Sequence, residues 1–573
     1  MSGIRLQRRP LLGEPAGWGD AVPIILQRIY AARGVFGPEH AEHRLTRLLS
    51  PQQLGGMREA VSLLAQAIAD DASIIIAGDY DCDGATGTAV AVRGLRMLGA
   101  RHVDYVVPSR FVHGYGLTPE LVASLPAHAQ LVVTVDNGIA SVAGVAAAQA
   151  RGMRVIVTDH HLPGERLPSA DAIVNPNVHG DGFPSKALAG VGVMFYVLLA
   201  LRSHLREQGR FAATAEPDLS VLLDLVALGT VADLVPLDFN NRVLVEAGMK
   251  RIRSRRACAG ITALIEASQR SVSALCTSDL GFAVGPRLNA AGRLEDMRLG
   301  VESLLTDDPA QARRYAEHLS SINQERRDLQ AAMVAEAEAM VAGAVGLDTQ
   351  SIGVSLFEPG WHAGVVGLVA SKLKERLHRP VIAFAPASED EPELLRGSAR
   401  SIAGFHVRDA LAAVDARHPG LIERFGGHAM AAGLSLKAAD YERFAAAFDA
   451  VAREWLNEEQ LQAVLYTDGE LPAGMFTLDM ARTLRYAGPW GQAFPEPLFD
   501  NRFECFSWRQ MGERHLRLSL RDPRDDALHE AVMFNAYNGQ PPPTMLRAVY
   551  ELTINDWQGR ESPRLLLRHI EPA

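Results

Sequence analysis

The stretch Gly78-Asp-Tyr-Asp-Cys-Asp-Gly84 sets carboxylates at every second position, Asp79, Asp81 and Asp83, and closes on a glycine able to take a sharp turn. Acids so spaced suit a hard divalent cation. As far as Gly84 the stretch also fits the opening of an EF-hand loop, but the twelfth position, which needs a bidentate glutamate, is Val90. The flanks disagree with an EF-hand as well. Ser73-Ile-Ile-Ile-Ala77 reads as a buried strand, and Ala85 to Leu98 carries the spacing of a helix. Strand, acidic loop and helix together describe the carboxyl edge of an open α/β sheet, where such folds hold ligands.

Further metal-type ligands follow further apolar runs. Asp136 follows Leu131–Val135, Asp159-His160-His161 follows Val155–Val157 by one residue, and Asp233 ends the run Leu225 to Ala232. Parallel strands deliver their ends to one edge, so these groups are expected to converge. Carboxylates with one or two imidazoles suit manganese or magnesium, and the lack of paired thiolates argues against structural zinc. Phosphodiester hydrolysis needs an activated water, charge stabilisation at phosphorus and help for the leaving oxygen, which two divalent ions about 3.5–4 Å apart supply. Asp81, Asp83, Asp136, His160 and Asp233 form a sufficient ligand set. Taken singly, an aspartate after a strand is more often a cap or turn residue; the recurrence at successive strand ends carries the inference.

The elements that must position these groups are legible in outline. A chain of 573 residues exceeds one hydrophobic core. From about residue 60, strands and helices alternate, which predicts an α/β fold with a parallel, doubly wound sheet. A polar, Ala- and Glu-rich stretch from Asp308 to about Gly343 predicts one long amphipathic helix. A second, smaller α/β region follows, with strands near 352–356, 381–385 and 431–436 and a helix near 364–377. After about residue 458 short alternating segments, such as Phe503–Trp508 and His515–Leu520, predict a small β-barrel. The expected division is an N-terminal extension (1–60), a catalytic domain (61–305), a connecting helix (306–345), a second α/β domain (346–458) and the barrel domain (459–573).

Bulk numbers bound the class. Hydrophobic residues are 48% and charged residues 22% of the chain, ordinary for a soluble globular protein. The opening residues lack the apolar stretch of a signal peptide and no segment reads as a membrane span, so a cytoplasmic location with no membrane partner is expected. Four scattered cysteines fit a reducing compartment. A net charge of -10 excludes a nonspecific basic coat for nucleic acid but not a local basic groove.

"DYDCDG" (79–84), "VTVDNGI" (133–139), "TDHH" (158–161) and "LGTVAD" (228–233) resemble the four ordered motifs of the DHH phosphoesterase superfamily. "PSRFVHGYGL" (108–117), "GPRLNAAGRL" (285–294), "WHAGVVGLVASKL" (361–373), "GSARS" (397–401) and "RFGGHAMAAG" (424–433) are similar to motifs of its exonucleases specific for single-stranded DNA. The resemblance runs from about residue 70 to the C-terminus. It implies a DHH catalytic domain, a DHH-associated domain with the GGH motif and a C-terminal OB-fold barrel. It further implies 5′→3′ degradation of single-stranded DNA to 5′-mononucleotides in recombination and repair, with manganese or magnesium as cofactor. By motif, Asp81, Asp83, Asp136, His160 and Asp233 match metal ligands, with Asp79 and His161 as secondary ligand and catalytic neighbour. Expected partners are single-stranded DNA, a helicase and a single-strand-binding protein, with the chain itself a monomer. Cys82 stands at a position where alanine is common in the family.

A nuclease that starts at a 5′ end must hold a terminal phosphate, which suits guanidinium forks, a hydroxyl and backbone N–H groups. Arg400 with Ser401 offers this combination; Arg110, Arg287, Arg293 and Asn289 are further candidates. Gly426-Gly427-His428 places an imidazole on backbone able to approach a phosphate closely. The competing reading is that these arginines tie elements together; for Arg293, followed by Glu295 and Asp296, both stay open. Phe494, Phe503, Phe506 and Trp508, with Arg509, Arg514 and Arg517, suit either a stacking platform for single strands or a barrel core. Two other functions compete: a DHH hydrolase of very short or cyclic nucleotides, and a noncatalytic DNA-binding scaffold. Chain length and the barrel oppose the first, and the unbroken ligand set opposes the second.

Overall fold

Ile74, Ile75 and Ile76 are all buried, and this enclosure fixes the centre of the catalytic region. In the computed structural model, which describes residues 4–20, 22–109, 113–343, 351–388, 391–512, 514–537 and 539–573, the chain forms two units. The larger comprises Arg8–Ser320 and Tyr466–Ala573, the smaller Ser321–Leu465 with a few N-terminal residues.

In the larger unit, α1 (Ile24–Ala31) precedes β1 (Ile74–Ala77), α2 (Cys82–Met97), β2 (Val103–Val106), β3 (Leu131–Val135), β4 (Arg154–Thr158) and β5 (Ala172–Val174). The five strands make one parallel sheet in the order β2-β1-β3-β4-β5. The continuous apolar runs are buried on both faces, as parallel strands with flanking helices require. Helices α3 (Gly190–Glu207), α4 (Leu223–Ala232), α5 (Phe239–Arg253) and α6 (Gly285–Leu294) complete this region.

The apolar run ending in Asp233, whose element the sequence leaves open, is a helix, α4; α2, α3 and α5 pack on it, so nearly all its residues are buried and its helical period is masked.

The long helix α7 (Pro309–Gly343) begins in the larger unit and carries the chain into the smaller one. There β6 (Val354–Phe357), α8 (Val366–Leu377), β7 (Val381–Pro386), β8 (Leu394–Arg400), β9 (Arg424–Gly427), β10 (Ala431–Lys437) and α9 (Tyr441–Trp455) follow. The strand order is β9-β10-β8-β7-β6, with only β6 and β7 parallel. Phe384, Phe444 and Phe448 anchor its core.

The chain then returns to the larger unit through α10 (Leu478–Tyr486) to a closed barrel of β11 (Phe499–Met511), β12 (His515–Arg521), β13 (Leu528–Met533), β14 (Met545–Trp557) and β15 (Arg560–Pro572), in the order β11-β12-β13-β15-β14. This is the five-stranded OB-type closure, in which the first strand pairs with both the second and the fourth. Phe503 and Phe494 are buried, while Phe506 and Trp508 are exposed.

The N-terminal segment packs on the link into the barrel. Tyr30 of α1 stacks on Trp18, with ring centroids 5.4 Å apart, and its hydroxyl donates to the Ala487 carbonyl. The buried Arg33 donates to both carboxylate oxygens of Asp468 at 2.7 and 3.0 Å and to the Pro495 carbonyl.

Candidate metal centre

The acidic loop is built by the start of α2. Asp81 is its N-cap, accepting from the Gly84 N–H at 3.0 Å, and Asp83 lies in its first turn. Asp83 is fully enclosed, yet both its oxygens accept backbone N–H groups at the start of α3, from Gly190 at 2.6 Å and Val191 at 2.9 Å. A helix N-terminus favours an anion in this position. Burial, and then the charge of Asp81, still pushes Asp83 up to about 7.

Asp136 follows β3 with φ at +64°, a left-handed conformation uncommon for an aspartate and strained outside a turn. This swings its carboxylate toward α3, where Gly190 admits it: a Cβ there would stand 2.5 Å from Asp136 Cβ. Burial, followed by the charges of Asp83 and Asp81, holds Asp136 well above the usual carboxylate range. Asp233, at the C-cap of α4, is raised by burial and by Asp83.

After β4, Asp159 organises both histidines. One of its oxygens accepts the N–H groups of His160 and His161 at 2.7 and 3.1 Å and lies 2.7 Å from His161 Nδ1; the other accepts from Ile139 N–H at 2.9 Å. Burial opposes the charge on Asp159, but the His161 hydrogen bond and charge, the Ile139 N–H and the charge of His160 together outweigh it and hold this acid below its ordinary value. For His161, burial is outweighed by the Asp159 hydrogen bond and charge, which lift it to about 9. Burial and the neighbouring His161 push His160 down to about 4, leaving a neutral imidazole at pH 7.

The side chains of Asp136, His160, Asp83 and Asp233 meet. His160 Nε2 lies 3.1 Å from Asp136 Oδ1, 3.5 Å from Asp233 Oδ2 and 4.0 Å from Asp83 Oδ2. Asp136 Oδ1 and His160 Nε2 are buried without a hydrogen-bond partner, although the fold satisfies most buried polar atoms around them. Asp79, Asp81 and Asp136 form an adjoining group whose oxygens lie within 4.8 Å of one another, and Asp136, His160 and His161 form another. An orphaned imidazole nitrogen and an orphaned carboxylate oxygen, with further carboxylates converging on them, fit divalent cations, and Asp136 is common to two of the groups that could hold one.

The phosphate candidates divide. Arg287 directs its guanidinium inward, to Ser320 Oγ at 2.9 Å and to the Ala283 and Ala267 carbonyls. Asn289 Oδ1 accepts the Cys82 N–H at 2.8 Å, so it braces the acidic loop. Arg293 lies near the end of α6; the acids after it have other partners, Glu295 with His318 at 3.5 Å and Asp296 with the Arg298 N–H. Arg110 lies outside the described residues.

In the smaller unit Arg400, at the end of β8, stands opposite Ala431, the first residue of β10, whose hairpin partner β9 ends in the exposed Gly426 and Gly427, followed by His428. Gly427 has φ at +142°, and a Cβ there would meet Ala432. A Cβ at Gly426 would meet nothing within 4 Å, so the fold itself does not demand that glycine. Arg400 Nη1 donates to Ser398 Oγ and the Ala399 carbonyl; the Ser401 hydroxyl is buried and donates to the Phe405 carbonyl.

Sequence reasoning missed several supporting groups. Gly190 and Val191 hold Asp83, and Asn175 and Asn177 donate to the carbonyls of His161 and His160. The Tyr115 hydroxyl approaches His161 at 3.4 Å. Only Tyr115 carried a local signal, its place between Gly114 and Gly116.

Residues 73–230 match the DHH family N-terminal domain, 349–454 the DHHA1 domain and 467–569 the RecJ OB domain. The chain is 51% identical over 575 residues to the single-stranded-DNA-specific exonuclease RecJ of Dickeya dadantii, covering 99% of each chain. It is 48% identical to that of Escherichia coli, again over 99% of each. The crystal structure of Thermus thermophilus RecJ with Mn2+ superposes with a TM-score of 0.81 at 30% identity, covering 100% of this chain and 79% of that one.

Proposed function

The chain belongs to the RecJ family of single-stranded-DNA-specific exonucleases, and from that premise we propose how its residues share the work. It is a metal-dependent exonuclease that hydrolyses single-stranded DNA from the 5′ end to 5′-mononucleotides, acting in recombination and repair. Its cofactor is Mn2+ or Mg2+. Asp81, Asp83, Asp136, His160 and Asp233 would hold two such ions, with Asp79 at the margin. Bound there, the ions supply the Lewis acidity that lowers the pKa of a water and offsets charge on the phosphoryl oxygens.

The chain's own groups do the rest. Gly190 and Val191 N–H fix Asp83, so the carboxylate is oriented before any ligand arrives. His160 is neutral and offers Nε2 as a ligand. His161, protonated and tethered by Asp159, places a positive charge beside the site, where it stabilises the phosphodiester and donates a proton to the leaving oxygen.

Arg400 and the Gly426–His428 turn are assigned to the 5′ phosphate, supported by the unoccupied space around Gly426. Arg287 and Asn289 are assigned to bracing, because their polar atoms are engaged within the fold. Residues 61–305 serve as catalytic domain, 306–345 as connector, 346–458 as the DHH-associated domain and 459–573 as the barrel domain, with 1–60 as an N-terminal extension. The barrel is the platform for the strand, and a helicase and a single-strand-binding protein are the proposed protein partners. Among the described residues no helix is long and apolar enough to cross a membrane, and all four cysteines are free, which supports a cytoplasmic setting.

The observation that carries this reading is the meeting of orphaned Asp136 Oδ1 and His160 Nε2 with Asp83 and Asp233. The test is release of nucleotides from a 5′-labelled single-stranded 20-mer and from its blunt duplex, with Mn2+ or EDTA, for the wild type and Asp136→Ala. Metal-dependent release from the single strand alone, abolished in the variant, is expected. Equal cutting of the duplex, or release that persists in EDTA, overturns it.

A further inference from the structure

A cavity of about 540 Å³ lies in the larger unit, walled on one side by the end of α4 and on another by barrel strands β14 and β15. Leu234, next to Asp233 in sequence, lines it, held at φ +59°, a conformation disfavoured for a branched side chain. Phe282 lines it too, from a π-helical turn, Leu280–Val284, a geometry uncommon in proteins and frequent at functional sites. Both side chains are presented to solvent, Leu234 at 62% and Phe282 at 76% exposure. Strained backbone at Leu234, next to Asp233, and a π-helical turn at Phe282 thus hold two large apolar groups outward at one cavity, where packing within the fold does not explain them.

The rest of the lining selects among occupants. Trp490, Pro497 and Leu552 make it chiefly apolar, and its charged rim is balanced, Arg568 pairing with Glu551 at 2.7 Å. A balanced rim gives phosphates no reason to enter. Flat, apolar, uncharged faces next to a chain engaged at Asp233 are nucleobases. We propose that unpaired bases of the DNA strand enter this cavity and stack on Phe282, with Leu234 as a second apolar contact.

The inference rests on the exonuclease reading and deepens it. Stacking on an aromatic ring tolerates every base, as a nuclease without sequence preference requires. Bases paired in a duplex cannot enter, so the cavity contributes to the choice of single strands.

The test is equilibrium binding in EDTA of a fluorescent single-stranded 20-mer, and of the same backbone without bases, to the wild type, Phe282→Ala and Phe282→Trp. Loss of one stacking contact is expected to weaken binding of the 20-mer by roughly tenfold in Phe282→Ala, with recovery in Phe282→Trp. The base-free strand should bind all three proteins alike. Equal affinity of Phe282→Ala and wild type for the 20-mer overturns the proposal and leaves the cavity to a protein partner. Equal weakening on the base-free strand overturns it as well. Failure of the exonuclease reading shows separately, as a wild type that releases no nucleotides from the 20-mer with Mn2+; a wild type that fails even to bind it sinks both.

Discussion

Asp136 Oδ1 and His160 Nε2 face each other across 3.1 Å, enclosed, with no hydrogen bond made by either atom. Two acceptors held together in this way repel until a cation lies between or beside them. Asp136→Asn removes one charge from the cluster while keeping its shape. The metal-free variant is therefore expected to unfold at the same temperature as the wild type or higher, and to lose the stabilisation that Mn2+ gives. Nuclease activity should fall by more than the roughly 10–100-fold typical of groups that only support a ligand. Thermal unfolding with and without Mn2+, beside a nucleotide-release assay, checks both halves.

The same crowding fixes a pH dependence. Asp83 sits at about 7, and Asp136 and Asp233 are raised as well, whereas in the unfolded chain all three ionise near 4. Between these values the metal-free fold binds protons that the unfolded chain has lost. The contribution of Asp83 to stability is complete below about pH 4 and disappears as pH rises through about 7, and Asp136 and Asp233 act in the same direction. Cations need the deprotonated ligands, so the rise in melting temperature on adding Mn2+ is expected to be larger at pH 8 than at pH 6. An equal rise at both values would contradict the raised carboxylates.

The convergence of the candidate ligands at strand ends was legible because Ile74–Ala77 and Leu131–Val135 are apolar without interruption, and parallel strands can end only at one edge. Asp233 was legible as a candidate ligand but its element was not: a helix buried on nearly every side has no polar face, so Leu223–Ala232 carries no helical period in sequence. Asp83's two donors, Gly190 and Val191, lie more than a hundred residues away and depend on how α3 approaches α2, which no local pattern encodes. Arg287 and Asn289 read as binding residues because an arginine or asparagine has the same letter whether it faces DNA or a backbone carbonyl.

Gly190 joins the two halves of the centre, touching Asp136 through its bare Cα and Asp83 through its N–H. Gly190→Ala forces a methyl to within 2.5 Å of Asp136 Cβ unless α3 moves. Overpacking of this kind costs about 1–3 kcal/mol. Any shift of α3 also draws the two backbone N–H groups at its start away from Asp83, so Mn2+ affinity should fall together with stability. Urea denaturation and a metal titration are the measurements; stability lost with affinity intact would separate the two roles.

Asp159 accepts four donors and supports the histidines without facing the converging ligands itself. Asp159→Asn removes the charge that lifts His161 to about 9, so the imidazole loses its proton at lower pH. If protonated His161 assists the leaving oxygen, the wild type loses activity as pH rises through about 9, and the variant loses it earlier. The alkaline limb of the pH–rate profile should move down, with an overall loss of about 10–100-fold. A uniform loss with the limb in place would assign Asp159 to positioning alone.

Arg33 and Asp468 are buried together, with side-chain exposures of 1% and 3%, and join the N-terminal segment to the link that leads into the barrel. Breaking such a pair from one side costs about 3–5 kcal/mol; without Arg33, Asp468 keeps the longer contact with Arg9 at 3.9 Å. Arg33→Met should therefore destabilise the larger unit strongly. Asp468→Asn added to it should restore part of the loss, since the amide oxygen still accepts the Leu498 N–H while the stranded charge is gone. The order of urea midpoints is wild type, then the double variant, then Arg33→Met. Limited proteolysis should cut the link around residues 470–497 faster in Arg33→Met, because the N-terminal segment no longer fastens it; equal midpoints for the single and double variants would mean that water, not the protein, solvates Asp468.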